Sequence, residues 1–223
     1  DQGSNYSNIE DENHRWSLKK AHNICSVSAD GKSYGAIQCQ NLKSQIEKKT
    51  LSLRTERVYL PSEKIPYIIE AKNIDSLYFK LIRIPNTIEA HQKPNERAEN
   101  YIKRLRNITG QQEWKKRLTN PKDFLNHSYE FLSKSLATGK YILIASTKSD
   151  FADQTAITNY IDFQISELSS ISKNENKGIV NFYVLNRTTG NLIANTKLTS
   201  YYEDYNYKSR KSELKITDAY TTD

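Results

Sequence analysis

The sequence predicts a mainly β protein with an N-terminal α-helical hairpin, one seven-stranded antiparallel β-sandwich and the first strands of a second sandwich. Three observations predict this order. Apolar residues recur with a helical period over residues 14–47, the period changes to two after Lys49, and a polar stretch begins near residue 172. The predicted divisions are a flexible tail (1–13), the helical hairpin (14–47), the sandwich (48–172) and the incomplete second domain (177–223).

The helical hairpin is predicted from apolar residues three and four positions apart on both sides of a turn at residues 29–31. The residues with this spacing are Trp16, Leu18, Ala21, Ile24 and Cys25 before the turn, and Ala36, Cys39, Leu42 and Ile46 after it. Residues 1–12 are polar and lack this spacing, so we expect them to be a tail.

The strands of the sandwich begin where apolar residues alternate with polar ones, first at Leu51 and Leu53 and then over residues 65–71. In the third strand Leu77, Phe79 and Leu81 lie on one face, and Tyr78, Ile82 and Ile84 lie on the other. Because both faces are apolar, we expect both to be covered.

Residues 86–111 are predicted to be a long connection with a short helix, since Ala98, Ile102 and Leu105 have helical spacing. Four more segments have the composition of strands and complete the set of seven. These segments are EWKKRL, DFLNHSYEFLSKSL, GKYILIAST and AITNYIDFQISEL.

Residues 172–177 are polar and are predicted to be a linker. A strand pair is expected beyond it, VNFYVLN with NTKLTSYY, joined by a turn at residues 187–191 in which Gly190 permits a positive φ. A third short strand is predicted at residues 213–217. Three strands are too few for a separate sandwich, so we expect an incomplete domain.

The composition limits the possible functions. The 223 residues are 36% hydrophobic and 10% aromatic, which is polar for a globular protein but too aromatic for a disordered one. No apolar run exceeds the length of a strand, and we expect no membrane insertion. The net charge of +7 comes from basic clusters scattered among 26 acidic residues without a nucleic-acid-binding motif. We therefore expect no nucleic-acid partner.

Catalytic, phosphate-binding and zinc-protease motifs are absent from the sequence, which predicts a protein that is not an enzyme and has no cofactor. The histidines are spread singly through different predicted elements, which argues against a metal site. Two acidic pairs are present, Asp150 with Asp153 and Glu203 with Asp204, and the carboxylates of the first could hold calcium together with main-chain carbonyls. They lack the spacing of a calcium loop, so solvated carboxylates are the simpler interpretation.

The two cysteines, Cys25 and Cys39, are flanked by apolar residues and lie on opposite arms of the predicted hairpin. This placement fits a disulfide in an oxidising compartment. It fits equally a pair of buried thiols that pack as small apolar groups. The sequence leaves both alternatives open.

Several segments in order resemble the large bacterial alpha-2-macroglobulin-like proteins of the cell envelope. The similarity covers about residues 16–217 and rests on many moderate signals rather than one motif. The first segment is similar to the family's passage from a helical region into macroglobulin-like strands. The segments are YGAIQCQNLKSQIEKKTLSLRTERVYLPSEKIPYIIEAKNIDSLYFKLIRI, QEWKKRL, Asp123-Phe124 with His127-Ser128, LATGKYILIAS, FQISELSSIS and FYVLNRTTGNLIANTKLT.

The resemblance implies that the sandwich is a macroglobulin-like domain followed by the start of the next one, in a protease-trapping protein of envelope defence. It implies a location in the periplasm or on the cell surface. The implied partners are other domains of the same parent chain and a target protease. The family's thioester signature, a cysteine followed closely by Glu-Gln, is absent around Cys25 and Cys39. The expected function is therefore that of a non-catalytic structural and interaction segment of such an inhibitor.

A carbohydrate- or adhesion-type binding sandwich of the cell surface is the alternative. Exposed aromatic residues would line its glycan platform, although strand tyrosines more often pack across a sheet. The residues considered for this platform are Trp114, Tyr201, Tyr202, Tyr205 and Tyr207.

Overall fold

The structure is a computed structural model that describes residues 12–28, 31–85, 96–106, 108–175, 179–208 and 210–223. The helices are α1 (Glu12–Arg15), α2 (Ser17–Ser28), α3 (Tyr34–Glu47) and α4 (Ala98–Arg106). The first eight strands are β1 (Thr50–Arg54), β2 (Val58–Tyr59), β3 (Pro66–Lys72), β4 (Ser76–Ile84), β5 (Gln112–Arg117), β6 (His127–Leu132), β7 (Gly139–Ser146) and β8 (Thr158–Ile165). The last four are β9 (Leu168–Asn174), β10 (Val180–Asn186), β11 (Lys197–Asn206) and β12 (Lys211–Thr221).

Two sheets pack face to face and form a β-sandwich. One sheet has the order β1-β3-β6, and the other has the order β2-β8-β7-β4-β5. All neighbouring strands in them are antiparallel except β2, which runs parallel to β8. The predicted fold class is therefore confirmed: the chain is mainly β, with a helical pair before an antiparallel sandwich. The seven predicted strands are β1 and β3–β8. Strand β2 was not expected, because two residues are too few to show a periodic pattern.

The main core lies between the two sheets. It contains the inward side chains of both, among them Leu53 and Ile69 from the smaller sheet and Phe79, Leu143 and Ile165 from the larger one. Their alternation with outward residues is the period of two that predicted the strands. Burial of this set is the main stabilising contribution that the sandwich receives.

Helix α4 covers the outer face of the larger sheet. Its side chains Tyr101 and Leu105 pack against Ile82 and Ile84 of β4 and their neighbours on β7. The prediction that both faces of β4 are covered is confirmed, and the short helix predicted in the connection is the element that covers the second face. Residues 86–95 of that connection lie outside the described residues.

Helices α2 and α3 pack on each other. Ser33 caps the start of α3, and its Oγ accepts a hydrogen bond of 3.2 Å from the amide of Ala36. Asn73 joins the helical hairpin to the sandwich, because its Nδ2 donates a hydrogen bond of 2.8 Å to the carbonyl of Ile46. Residues 1–11 of the predicted tail and residues 29–30 of the predicted turn lie outside the described residues. Residues 12 and 13, predicted as tail, lie in α1.

The last four strands form two separate two-stranded sheets, β9 with β10 and β11 with β12. The predicted linker is wrong for residues 172–174, which belong to β9. The predicted pairing of β10 with β11 is also wrong, because β10 pairs with β9 and β11 pairs with β12. Leu185 of β10 forms an isolated bridge with Leu192, which lies before β11. Backbone hydrogen bonds with β10 hold the serine-rich β9 in a strand although its sequence does not alternate. Strand β12 includes the predicted strand at residues 213–217 and is longer.

Candidate interaction surfaces

The hairpin of β11 and β12 has an aromatic face that solvent reaches. Tyr201 lies opposite Ile216 across the hairpin, and Tyr205 lies two pairs further along the same face. Their exposed fractions are 48%, 58% and 46%. Tyr207 follows in the connecting turn, and its ring meets that of Tyr205 edge to face with centroids 5.1 Å apart. We call Tyr201, Tyr205, Tyr207 and Ile216 the tyrosine face.

The opposite side of the same hairpin is polar. Tyr202 lies across from Lys215, and the Lys215 ammonium forms an ion pair with Asp204. Strand alternation therefore places Tyr202, Asp204 and Lys215 on this side, and Tyr201 and Tyr205 with Glu203 between them on the other. Tyr202 is separated by this alternation from the tyrosine face.

The hairpin of β9 and β10 presents apolar side chains on both sides. Tyr183 lies across from Ile171 on one side, and Phe182 lies on the other; all three are exposed. A sheet with two apolar faces is typical of a sheet that is covered on both sides. Val184, on the same side as Phe182, is buried.

Trp114 lies in the sandwich and not on the tyrosine face. Its ring stacks on that of Phe79 with centroids 5.3 Å apart and an angle of 12° between the planes. The structure therefore does not unite the five aromatic residues considered for a glycan platform. Tyr201, Tyr205 and Tyr207 remain together.

Cys25 in α2 is buried, and Cys39 in α3 is partly buried. Both are thiols in the structure. A hydrogen bond with the Cys39 thiol is the main cause that raises the pKa of Cys25, and burial adds to it. The predicted positions on opposite helices therefore bring the two sulfur atoms into contact, while the choice between disulfide and thiols stays a prediction.

Asp123 and His127 form a pair that sequence reasoning did not single out as a site. The carboxylate lies in the loop before β6, where the backbone at Lys122 and Phe124 has φ of 62° and 64°. His22 of α2 stacks on Phe124, with ring centroids 4.6 Å apart. The loop is thus a contact between the helical pair and the sandwich, and the sequence offers no pattern that would have revealed it.

The acidic pair Asp150 and Asp153 holds its own loop. Asp150 Oδ1 accepts a hydrogen bond of 2.8 Å from the amide of Ala152, and Asp153 accepts hydrogen bonds from Lys148 and Thr155. The hydrogen bond from Lys148 is the main cause that lowers the pKa of Asp153 to about 2. Across the described residues, histidine, cysteine and acidic side chains nowhere gather in threes around a possible metal position.

Comparisons with known proteins gave a distant structural likeness and no family. No protein-family model matches the chain. No curated protein matches it either. The CARDB domain of a Pyrococcus furiosus protein, solved in complex with di-metal ions, aligns with 53% of this chain and 92% of its own length. The identity is 12% and the TM-score is 0.29, and this likeness carries no conclusion.

Among the described residues, every helix is too short or too polar to cross a membrane.

Proposed function

We propose that this chain is a non-catalytic interaction module in which the sandwich is a scaffold and the tyrosine face binds a protein partner. One observation carries the proposal: Tyr201 and Ile216 lie opposite each other on one face of a two-stranded sheet, Tyr205 lies on the same face beyond Glu203, and the three are each about half exposed. Exposed apolar patches next to polar residues mark interaction sites in soluble proteins.

The chemistry of this face suits a protein interface. Tyrosine offers a large rigid apolar ring together with a hydroxyl that hydrogen-bonds at the rim, and it is enriched where proteins meet. A hairpin of two strands is marginally stable by itself in water. A partner that covers the tyrosine face would therefore both bury apolar area and stabilise the hairpin.

The identity of the partner follows from the resemblance to alpha-2-macroglobulin-like proteins, which we retain as part of the proposal. It implies a neighbouring domain of the same parent chain or a target protease, and a location in the cell envelope. The absence of a motif for a nucleophile, a metal or a phosphate supports a role without catalysis. The gene tests the family directly: a segment encoding Cys-x-Glu-Gln in the parent reading frame supports it.

Site-specific photo-crosslinking tests the proposed surface. A photoreactive phenylalanine analogue replaces Tyr205 on the tyrosine face, and in a matched variant it replaces Tyr202 on the charged side of the same strand. We expect a discrete protein adduct from position 205 in cells of the source organism, with at least fivefold less from position 202. The change Ile216→Thr should reduce the adduct at 205. Equal yields at both positions would contradict the proposal.

A glycan-binding surface is the second candidate, because the rings of Tyr205 and Tyr207 form an exposed pair that a sugar ring could contact. A glycan array with the intact chain distinguishes the two. Binding that is lost in Tyr205→Ser and kept in Tyr202→Ser would favour carbohydrate over protein as the ligand of the tyrosine face.

A further inference from the structure

A cleft of about 390 Å³ opens at one side of the sandwich. It arises because the five-stranded sheet is wider than the three-stranded sheet that covers it. Strand β1 lies over β8, where Asn159 Nδ2 donates 3.0 Å to the carbonyl of Leu51. Strand β6 accordingly lies toward β5, with Lys116 Nζ 5.7 Å from the ring centroid of Phe131. The cleft lies between β5 and β6, each of which is the edge strand of its sheet.

The floor of the cleft is apolar and belongs to the core. Register places Leu81, Leu143 and Ile161 in one row across β4, β7 and β8, and all three line the cleft. Trp114 and Phe163 extend the floor on either side. A cleft of this size with an aromatic and aliphatic floor has the dimensions and character of a small-molecule site.

The rim of the cleft is positive. Pairing with β4 places the side chains of Gln112 and Lys116 on the same inward face of β5 as Trp114. Lys134, in the segment after β6, contributes a second ammonium group, and no acidic residue is found among the described lining residues. Neither lysine forms an ion pair with an acid in the described part of the chain. A ligand that carries an anionic group on an apolar body therefore complements both the positive rim and the apolar floor of the cleft.

We propose that this cleft binds an amphiphilic carboxylate, with its apolar chain against Trp114 and Leu81 and its carboxylate on Lys116 and Lys134. The site is separate from the tyrosine face and does not depend on the proposed function. A peptide strand fits less well. The exposed free edge of β5 has the charges Glu113, Lys115 and Arg117, which is how proteins discourage strand addition.

Decanoate is the probe, and Trp114 is the reporter. The only other tryptophan, Trp16, is changed to Phe, so that fluorescence reports on the cleft alone. We expect a saturable change in Trp114 emission with decanoate. Lys116→Gln and Lys134→Gln should each weaken binding about tenfold, because each removes one charge-assisted hydrogen bond. Decanol, with the same chain and no charge, should bind about tenfold or more weakly than decanoate.

Lys115→Gln is the matched control. Lys115 is the neighbour of Lys116 on β5, but its ammonium lies on the other side of the sheet, 5.1 Å from the ring centroid of Tyr78. We expect this variant to bind decanoate like the parent. Equal weakening by Lys115→Gln and Lys116→Gln, equal binding of decanol, or no saturable signal below the micellar range would each overturn the proposal. So would a preference for an acidic peptide over decanoate. Unfolding midpoints of all variants verify that they fold.

Discussion

His127 Nε2 donates a 2.8 Å hydrogen bond to Oδ1 of Asp123, a carboxylate that is 1% exposed. The same oxygen accepts 3.0 Å from the amide of Leu125. Among the described residues the other oxygen, Oδ2, has no hydrogen-bond donor, and the Arg15 guanidinium lies near it, with Nε at 3.8 Å. The buried carboxyl group therefore contacts one group from β6 and one from the N-terminal helices, and it holds a loop with two non-glycine residues in the left-handed region.

The first prediction concerns this carboxylate. Asp123→Ala should lower the free energy of unfolding by about 3 kcal/mol, because it leaves the Leu125 amide and the His127 ring without their buried acceptor. Urea unfolding of the intact chain measures the change. Asp150→Ala is the control, since Asp150 makes the same bond to the amide two residues ahead but is exposed. It should cost about 0.5 kcal/mol or less. Similar decreases in the free energy of unfolding in both variants would mean that the burial of Asp123 contributes nothing to the effect.

The second prediction concerns Tyr101 of α4. Burial is the main cause that raises the pKa of Tyr101 to about 12, and the nearby Tyr160 and Asp162 add to it. The folded pKa lies above the unfolded value, so the contribution to stability is present below about pH 10 and is lost as the pH rises toward 12. Tyr101→Phe should therefore flatten the fall in stability over that range. A parallel fall in the variant and the parent, measured by urea unfolding at each pH, would contradict this.

The third prediction concerns the opposite end of the pH scale. The pKa of Asp153 is held at about 2, chiefly by the hydrogen bond from Lys148. Because the folded pKa is lower than the unfolded one, this contribution is present above about pH 4 and is lost as the pH falls toward 2. Asp153→Asn and Lys148→Met should each make unfolding less dependent on pH in that window. If Lys148→Met shows the same slope of unfolding free energy against pH as the parent, Lys148 is not the cause of the lowered pKa of Asp153.

Alternation of apolar and polar residues made most of the sandwich predictable. In β4, Leu81 and Ile82 point to opposite apolar layers, and the sequence alone indicates both. Strand β9 could not be found this way, because its serines carry no periodic signal and its backbone bonds to β10 decide its conformation. Strand β2 is defined by a parallel partner about a hundred residues away, which no local pattern contains.

The candidate surfaces could be predicted from the sequence only in part. The sequence names the tyrosines of β11 as candidates and the structure shows that they are exposed, but the separation of Tyr202 from Tyr201 and Tyr205 follows from the alternation of the strand. Trp114 could not be assigned to the cleft, because its position depends on the pairing of β5 with β4 and on the unequal widths of the two sheets. The contact of Asp123 with His127 lies in an irregular loop, where spacing predicts no neighbours.

The last prediction concerns Cys25 and Cys39, whose thiols are close enough for Cys39 to raise the pKa of Cys25. Glutathione disulfide should oxidise the native chain to an intramolecular disulfide and lower its mass by about 2 Da, the two thiol hydrogens, while glutathione disulfide is reduced. The bridge closes a loop of about fifteen residues, and by restricting the unfolded chain it should raise the urea midpoint by roughly 1 M.

Cys39→Ser is the control for this oxidation, since a single remaining cysteine forms only a mixed disulfide with glutathione and gains no internal bridge. Alkylation under denaturing conditions, with and without reductant, counts the free thiols in each sample. Two alkylated thiols after native oxidation would show that the helices hold the sulfur atoms in contact but in a geometry that a disulfide does not accept. The pair would then act as two small apolar groups that pack α2 against α3.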